Sequence, residues 1–386
     1  MLPYLKLQLL YVGTSGAATL AVWWLAGRAP RLAQSLRWRA AVSALALALF
    51  SALILITASL RIGPIQSRFM AVAHAYYSAA FWLPAVLLFE LARRRKERRA
   101  DPLLAFASVA LIAGGLYALL IEPNRMQLVE RSLRFSAWPE RSPPLRIAHI
   151  SDLQTVGVCE RERRAAEAIN AWEPDLVVFT GDYVAGPLWA PEPAIEAARA
   201  FLASLRPRLG IVCVSGHSET EAIRRRVFEG LDGILYLNNE EHVFELSDGH
   251  GPRKLRVHGI TARNAELDRL EARYEAGLVT LAVSHVPDVT YALEGRGVDL
   301  HLAGHTHGGQ IALPFLGPPM TLSHMDRKYA RGLHLVGDHW LQISPGIGME
   351  GSHAPRIRFL CPPEIDFLVL QGGESAFPVV AQPSRG

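Results

Sequence analysis

The stretch LAGHTHGGQI, residues Leu302–Ile311, places two histidines around one threonine, between a short apolar run and a pair of glycines. If Val298–Ala303 forms a strand, His305 and His307 follow its end, where the chain turns and side chains can converge. Neutral imidazoles are the commonest protein ligands for first-row metals. Two histidines this close also occur in ordinary polar turns, so a metal site needs support from other parts of the chain.

The chain from Leu145 onward alternates short apolar runs with amphipathic segments, a pattern typical of α/β domains. Predicted strands before the quoted stretch include Leu145–Ser151, Asp175–Thr180, Ile211–Val214 and Leu278–Val283. Asp175–Thr180 is a continuous apolar run of the kind expected in a sheet buried on both faces. Several further short strands follow this early α/β alternation, which favours a layered α/β sandwich.

Polar residues follow the predicted ends of five of these strands. In chain order they are Asp152 with Gln154, then Asp182, then His217 with Ser218 and Glu219, then His285, and last His305 with His307. Ligands of open α/β sheets bind outside the carboxyl ends of the strands, so these groups are predicted to converge on one cleft. Oxygen and imidazole donors without a thiolate suit Mn, Fe or Zn better than a structural zinc cage. Taken singly, Asp152 and Asp182 could instead cap the helices that follow, and His285 could belong to a turn.

Charge is unevenly distributed along the 386 residues. Residues 1–144 hold 17 of the 40 lysines and arginines and 6 of the 36 acidic residues, which gives a net charge of +11. Residues 145–386 hold the other 23 and 30, which gives −7. Nucleic-acid binding needs clustered cations, so the acidic second part is not predicted to bind nucleic acid. Three cysteines without paired spacing predict no disulfide framework and leave the redox compartment open.

Residues 1–122 contain four apolar runs, each close to the ~20 residues needed to cross the hydrocarbon core of a bilayer. The runs are Leu7–Gly27, Ala41–Leu60, Met70–Ala92 and Leu103–Ile121. A buried helical domain is the alternative, but short charged loops between four such runs favour transmembrane helices. A cleaved signal peptide fits poorly, because the first run is long and three more follow. Transport by these helices has little support, since His74 and Glu90 are their only clear ionisable candidates.

The connections between the apolar runs predict the orientation of the chain in the membrane. The first and third connections are rich in arginine and lysine, and the second has only Arg61 and Arg68. Because positive loops stay in the cytoplasm, residues after the fourth run are predicted to be extracytoplasmic, in an integral protein of a bacterial-type inner or plasma membrane. Arg125, Arg131 and Arg134 after the fourth run argue the other way. Residues 123–144 contain four prolines and are predicted to be a linker, 145–371 the catalytic domain, and 372–386 a flexible tail.

The ordered polar residues resemble the motifs of the calcineurin-like metallophosphoesterases over about Leu145 to Leu370. Asp152 matches the aspartate of the family's D-x-H motif, Asp182 its G-D motif, and His285 its lone histidine. Gly304-His305-Thr306-His307 matches G-H-x-H, and Gly216-His217-Ser218-Glu219 stands where the family has G-N-H-E/D. The longer stretches GHTHGGQI, SHVPD, and SPGIG through RIRFLCPPEI resemble the membrane-associated branch typified by YkuE and YaeI. That branch includes UDP-2,3-diacylglucosamine hydrolases.

The resemblance implies a four-layer α/β/β/α sandwich that holds two divalent metal ions. By position, Asp152, Gln154 and His307 would hold the first ion, His217, His285 and His305 the second, and Asp182 would bridge both. Two cations ~3.5–4 Å apart clamp a phosphate and generate a bridging hydroxide that attacks phosphorus in line.

Three residues depart from the family motifs, and one of them, His217, stands at the family's asparagine and can ligate more strongly than an amide. Gln154 replaces a histidine, and its amide oxygen is a weaker ligand than imidazole. Ser218 replaces the histidine that assists the leaving group, and a serine is a poor general acid near neutral pH. Three consequences are open: a substrate with a good leaving group, replacement of the missing acid by Glu219 or His217, or a degraded enzyme. Asp182, Ser218 and Glu219 are the candidate catalytic residues.

The sequence therefore predicts a membrane-anchored, dinuclear-metal phosphoesterase that hydrolyses a phosphodiester or diphosphate bond. The predicted substrate is a phosphorylated small molecule or lipid, such as an envelope molecule. An outward-facing domain could not reach a cytoplasmic UDP-sugar lipid. The alternative is a catalytically degraded metal-binding membrane protein with a role in recognition.

Overall fold

The computed structural model describes residues 2–29, 35–59, 67–94, 101–185, 192–247, 252–261, 274, 277–350, 355–374 and 379–380. The chain divides into two compact units. The first comprises Met1–Ile121 with Gly351–Arg356, and the second comprises Glu122–Glu350 with Ile357–Gly386.

The first unit is helical. Its helices are α1 (Leu2–Arg28), α2 (Leu36–Ser59), α3 (Ser67–Tyr77), α4 (Leu83–Arg94) and α5 (Pro102–Leu116). Wider π-helical turns at Ser78–Trp82 and Tyr117–Ile121 connect α3 to α4 and extend α5. Four continuous helical segments are long and apolar enough to cross a membrane: Leu5–Arg28, Leu36–Leu53, Met70–Arg94 and Pro102–Asn124. The four predicted apolar helices are therefore present, and their orientation in a membrane stays a prediction.

Polar side chains inside the helical unit bond to other parts of the same unit. The Oγ of Ser15 and the Nδ1 of His74 lie 2.8 Å apart, and the Nε1 of Trp82 donates to the carbonyl of Val12 at 2.9 Å. Glu90 forms an ion pair with Arg93 in the last turn of α4, at 3.5 Å. His74 and Glu90 thus both have local structural partners.

The second unit contains two β-sheets. The first sheet consists of β1 (Gln127–Phe135), β2 (Leu145–Ile150), β3 (Leu176–Phe179), β4 (Ile211–Cys213), β5 (Ile234–Tyr236), β12 (Glu364–Gly372) and β13 (Val379–Val380), in the order β13-β1-β12-β2-β3-β4-β5. The second consists of β6 (Glu240–Ser247), β7 (Pro252–Ile260), β8 (Val279–Ser284), β9 (Leu300–Ala303), β10 (Gly332–Val336) and β11 (His339–Ile343), in the order β10-β11-β9-β8-β7-β6. The helices of this unit are α6 (Glu160–Ala171), α7 (Glu192–Ser204), α8 (Glu221–Phe228) and α9 (Thr290–Leu293). Single 3₁₀ turns form at Glu122–Asn124, Pro287–Val289, His307–Gly309 and Arg327–Tyr329.

Apolar side chains on the faces of the two sheets build the layers. Ile169 of α6 and Phe201 of α7 pack with Phe179 on the outer face of the first sheet. Between the sheets, Val178 and Leu281 belong to one continuous buried cluster. The far face of the second sheet packs against Val289 and Leu293, at the short helix α9. This helix–sheet–sheet–helix arrangement confirms the predicted α/β sandwich.

Strand β1 corrects the predicted linker at 123–144. Gln127–Phe135 pairs in parallel with all nine residues of Glu364–Gly372, so these residues belong to the first sheet. The Arg131 guanidinium is buried in this sheet, where it bonds to the carboxylates of Glu364 and Asp366. In the predicted tail, Val379–Val380 pairs with β1, while residues 375–378 and 381–386 lie outside the described part of the chain.

Parallel strands bring the predicted polar residues to one end of the domain. β2, β3 and β4 run parallel, with Ile150 opposite Phe179 and Phe179 opposite Cys213. In the second sheet, β8 and β9 are also parallel, with Val283 opposite Leu302. Because each of these residues lies at or next to the carboxyl end of its strand, the following loops emerge side by side.

Candidate metal centre

Three residues after strands of the first sheet adopt left-handed backbone conformations. The φ angles are 50° at Asp152, 38° at Gln154 and 58° at Asp182. Backbone bonds support these conformations: Asp152 donates to the carbonyl of Gly181 at 3.0 Å, and Gln154 to that of Asp182 at 2.9 Å. Left-handed conformations at residues other than glycine cost free energy and cluster at functional sites, so the loops hold these side chains in a strained, defined arrangement.

Two glycines of the predicted motifs allow the loops to approach the aspartates closely. A Cβ atom at Gly216 would lie 2.1 Å from Oδ1 of Asp182, and one at Gly304 would lie 1.8 Å from Oγ of Ser151. The same Cβ at Gly304 would lie 2.5 Å from Oδ2 of Asp152. Any larger residue at either glycine would displace a carboxylate of the site.

Hydrogen bonds surround the Asp182 carboxylate, which is nearly fully buried. Its Oδ1 accepts from the backbone N–H of Ser218 at 2.9 Å and lies 3.0 Å from the Ser218 hydroxyl. Its Oδ2 accepts from the amide nitrogen of Gln154 at 3.1 Å and lies 3.5 Å from Nε2 of His285. Burial opposes ionisation, but the His285 charge and these hydrogen bonds outweigh it and lower the pKa of Asp182. Asp182 therefore carries a negative charge at the centre of the cluster.

Glu219 holds the loop backbone around Asp182. Its Oε1 accepts from the N–H of Tyr183 at 2.7 Å and from the Ser218 hydroxyl at 2.6 Å. Its Oε2 accepts from the N–H groups of Gly216 at 2.7 Å and Asp182 at 3.2 Å. Burial, reinforced by the charge of Asp182, raises the pKa of Glu219 to about 7. With both oxygens directed at the loop, Glu219 is placed to position Asp182 and Ser218.

Histidines that follow strands of the second sheet lie beside these carboxylates, and outer hydrogen bonds set the tautomers of His285 and His305. His285 bonds through Nδ1 to the carbonyl of Thr180 at 2.7 Å, which leaves Nε2 to face Asp182. His305 bonds through Nε2 to the carbonyl of Leu322 at 3.1 Å, which leaves Nδ1 as its potential ligand atom. His307 places Nε2 3.3 Å from Oδ1 of Asp152. Outer hydrogen bonds of this kind orient metal-ligating histidines.

The predicted residues converge as two overlapping groups of donor atoms. His217, His285 and His305 place one ligand atom each within 4.8 Å of one another, and so do Asp152, Asp182 and His285. The ring centroids of His217 and His305 are 4.7 Å apart. His217 is exposed at the edge of this cluster, whereas the other four residues are buried or half-buried.

The donor atoms fit divalent metal ions by chemistry as well as by spacing. Among the described residues, two atoms that face the cluster, Oδ1 of Asp152 and Nε2 of His285, are buried and have no hydrogen-bond partner. Burial lowers the pKa of His305 to about 3, and it lowers that of His307 well below the ordinary value. Their nitrogens are therefore neutral at physiological pH, as metal ligation requires. Carboxylate and imidazole donors without thiolate suit Mn, Fe or Zn.

The amide of Gln154 has an orientation that sequence matching could not predict. Its nitrogen donates to Oδ2 of Asp182 at 3.1 Å and lies 3.4 Å from Oε2 of Glu350. An amide nitrogen cannot ligate a cation, so ligation by Gln154 requires its amide to rotate and present the oxygen.

Sequence reasoning missed two residues that support the site. The fully buried guanidinium of Arg358 donates to the carbonyls of Pro345 at 2.7 Å and Gly348 at 2.6 Å. Gly348 in turn donates its N–H to the carbonyl of Asp152 at 2.7 Å. Arg358 thus supports the loop beneath Asp152. In the sequence, only the apolar neighbours Ile357 and Phe359 indicate that Arg358 is buried. For Glu350, the second missed residue, the local sequence gives no such indication.

Comparisons with known proteins agree with the geometry. Residues 145–309 match the family model of the calcineurin-like phosphoesterases. The chain is 30% identical over 277 residues to the metallophosphoesterase YkuE of Bacillus subtilis, which covers 69% of this chain and 94% of YkuE. It is 26% identical over 271 residues to the phosphodiesterase YaeI of Escherichia coli, covering 68% of this chain and 95% of YaeI. It is 24% identical over 303 residues to the UDP-2,3-diacylglucosamine pyrophosphatase LpxG of Chlamydia trachomatis, covering 65% of this chain and 91% of LpxG.

Proposed function

From the premise that the chain belongs to the calcineurin-like phosphoesterase family, and to its YkuE/YaeI-like branch, we propose a membrane-anchored hydrolase of lipid-linked or envelope phosphodiesters or diphosphates. As a member of this family, the protein is a metal-dependent phosphoester hydrolase. The observation that carries the proposal is the pair of overlapping donor groups, which share His285 and lie around the Asp182 carboxylate.

The residues divide into two proposed ligand sets. Asp152 and His307, with Gln154 after amide rotation, would hold one divalent ion, and His217, His285 and His305 the other, with Asp182 shared. When bound, the ions would lower the pKa of a coordinated water and neutralise charge on the phosphate. Asp182 supplies the negative charge between the two sets, and Glu219 and Ser218 hold it there through hydrogen bonds.

The environment of Ser218 favours substrates with good leaving groups. Its hydroxyl lies 3.0 Å from Oδ1 of Asp182 and 2.6 Å from Oε1 of Glu219, so it is engaged with the two carboxylates. Glu219 is occupied by backbone amides, so neither residue is placed to protonate a departing alkoxide. A diphosphate releases a phosphate group, which leaves without that proton. The similarity to a phosphodiesterase and a pyrophosphatase supports the same range of substrates.

Four apolar helices in the same chain support a substrate that lies at a membrane. The arginine-rich first and third connections favour an extracytoplasmic catalytic domain. We therefore infer a lipid-linked or other envelope substrate rather than a cytoplasmic nucleotide-sugar lipid.

Turnover by the purified full-length protein tests this proposal. The protein in detergent, supplied with Mn²⁺, should hydrolyse bis-p-nitrophenyl phosphate. Asp182→Asn should reduce kcat/KM by on the order of 10³-fold, because the charge shared by both ligand sets is lost. Asp232→Asn, an exposed carboxylate on a loop, is the matched control and should leave turnover unchanged. Absence of metal-dependent turnover, or full activity in the Asp182 variant, would refute the proposal.

A further inference from the structure

A ten-residue loop beside the metal centre exposes a cluster of large apolar side chains. The loop is Leu313–Leu322, with the sequence LPFLGPPMTL, and it begins two residues after the GHTHGGQI stretch ends. Among the described residues of the second unit, nine large hydrophobic side chains are exposed, and five of them lie in this loop. The five are Leu313, Phe315, Leu316, Met320 and Leu322. Clustered exposure of this kind marks an interaction surface, whereas scattered apolar residues need no explanation.

The tip of the loop is built to project an aromatic side chain. Leu313 and Gly317 exchange two backbone hydrogen bonds, at 2.9 and 3.0 Å, which close a tight turn. Phe315 at its tip has a left-handed φ of 65° and is fully exposed to solvent. A bulky residue in this conformation is strained, and an exposed phenyl ring gains nothing from the domain core. Neither the strained backbone nor the exposed ring stabilises the fold of the domain.

Hydrogen bonds fix both ends of the loop, and the bond at the second end reaches a residue of the metal centre. At the first end, Ala312 donates to the carbonyl of Phe359 at 2.8 Å, and Phe359 donates to that of Gln310 at 3.1 Å. At the second end, the Leu322 carbonyl accepts from Nε2 of His305 at 3.1 Å. The second end of the loop is therefore bonded directly to a proposed metal ligand.

Basic residues accompany the apolar tip. Arg327, Lys328 and Arg331 follow the loop and are exposed, and Asp326 is the only acidic residue between 313 and 331. The local charge is therefore positive in a part of the chain with a net charge of −7. Exposed apolar side chains next to cations are typical of segments that bind the interface of an anionic bilayer.

We propose that Leu313–Leu322 inserts its apolar tip into the interface of a lipid bilayer and holds the metal centre at the headgroups. Four helices of the same chain are long and apolar enough to cross a membrane, which favours a lipid bilayer over a protein as the partner of this loop. The inference deepens the proposed function by naming a lipid surface as the place where substrate is taken, but insertion itself does not depend on turnover.

Fluorescence quenching in liposomes tests the insertion. The full-length chain with Cys159→Ser, which removes the one native cysteine that is not buried, receives Phe315→Cys and a polarity-sensitive label. It is reconstituted into phosphatidylethanolamine–phosphatidylglycerol liposomes that carry nitroxide groups on their acyl chains. We expect a blue shift and strong quenching at position 315. The matched control is a label at Val158→Cys, another highly exposed apolar position, which should stay in water.

Equal emission and quenching at positions 315 and 158 would overturn the proposal. A nitroxide-labelled short-chain lipid, kept below its critical micelle concentration, tests whether the loop binds single acyl chains instead. Quenching by this lipid without quenching in liposomes would also overturn the proposal. If the protein shows no turnover of any substrate, the proposed function fails, while the quenching result still decides insertion.

A kinetic comparison adds a second readout. The double variant Phe315→Ser/Leu316→Ser should hydrolyse soluble bis-p-nitrophenyl phosphate at the unchanged rate. Its turnover of a phosphodiester lipid embedded in liposomes should fall by about tenfold, because apolar side chains anchor segments in the interface. An equal loss on both substrates would indicate damage to the site and would contradict the proposed role.

Discussion

The two sheets contribute chemically different walls to the candidate metal centre. The wall from the first sheet carries Asp152, Gln154, Asp182, Ser218 and Glu219, with the exposed His217 at its edge. The side chains of Gln154, Asp182, Ser218 and Glu219 bond to one another and to the backbone of their own loops. The wall from the second sheet carries His285, His305 and His307. The outer nitrogens of His285 and His305 bond to backbone carbonyls, and Nε2 of His285 and of His307 faces a carboxylate. The three departures from the family motifs, Gln154, His217 and Ser218, all follow strands of the first sheet. Gln154 and Ser218 themselves bond to the Asp182 carboxylate, so the residues that stand in place of the family's histidines still orient this aspartate.

The largest effect should follow from removing a histidine of the second wall. His285→Ala deletes the side chain shared by both donor groups, and kcat/KM with Mn²⁺ should fall on the order of 10³-fold, beyond the 10–100-fold typical of outer-shell partners. Bound Mn, measured by mass spectrometry after desalting, should fall in parallel. His242→Ala, an exposed histidine of β6, should change neither. Retained metal and activity in the His285 variant would mean that the second wall is not a ligand wall.

A smaller effect should appear when the hydrogen bonding of the first wall is broken. Glu219→Gln replaces an acceptor oxygen by an amide group, so one buried backbone N–H loses its partner at a cost of about 1–3 kcal/mol. At roughly 2–4 °C per kcal/mol, the melting temperature in detergent should fall by about 2–12 °C. Glu221→Gln disturbs only surface pairs with Arg224 and Arg225 and should have little effect. Equal stability of the two variants would contradict the role of Glu219 in holding the wall.

The smallest effect should come from restoring the family residue in the first wall. Gln154→His offers an imidazole where an amide now lies, and the Mn²⁺ concentration for half-maximal activity should fall by about tenfold. Histidine tolerates the left-handed backbone of this position comparatively well. An unchanged or weaker metal dependence would show that residue 154 does not contact an ion, and that it serves only as a donor to Asp182.

The ends of the strands could be predicted from the sequence, because each strand is a run of contiguous apolar residues. The apolar run before Asp182 and the run before His305 both became strands, and the polar residues after them lie together as expected. Burial of charge was not predictable in the same way. The sequence placed Arg131 in the predicted linker, because its partners Glu364 and Asp366 lie more than 200 positions later in the chain and could not be recognised. Arg358 was likewise missed, because its partners are backbone carbonyls of a loop that the sequence does not mark.

The sequence by itself determined the four apolar helices, the α/β order and the identity of the donor residues, because hydrophobic runs and short motifs are local properties of the chain. The tertiary structure decided how those donors act. It selected the ring nitrogen that His285 presents, through a bond to Thr180 at a separation of 105 residues. It also turned Glu219 toward the backbone and the amide nitrogen of Gln154 toward Asp182. A side chain's direction and tautomer depend on which distant groups can bond to it, and only the packing of the two sheets brings those groups together.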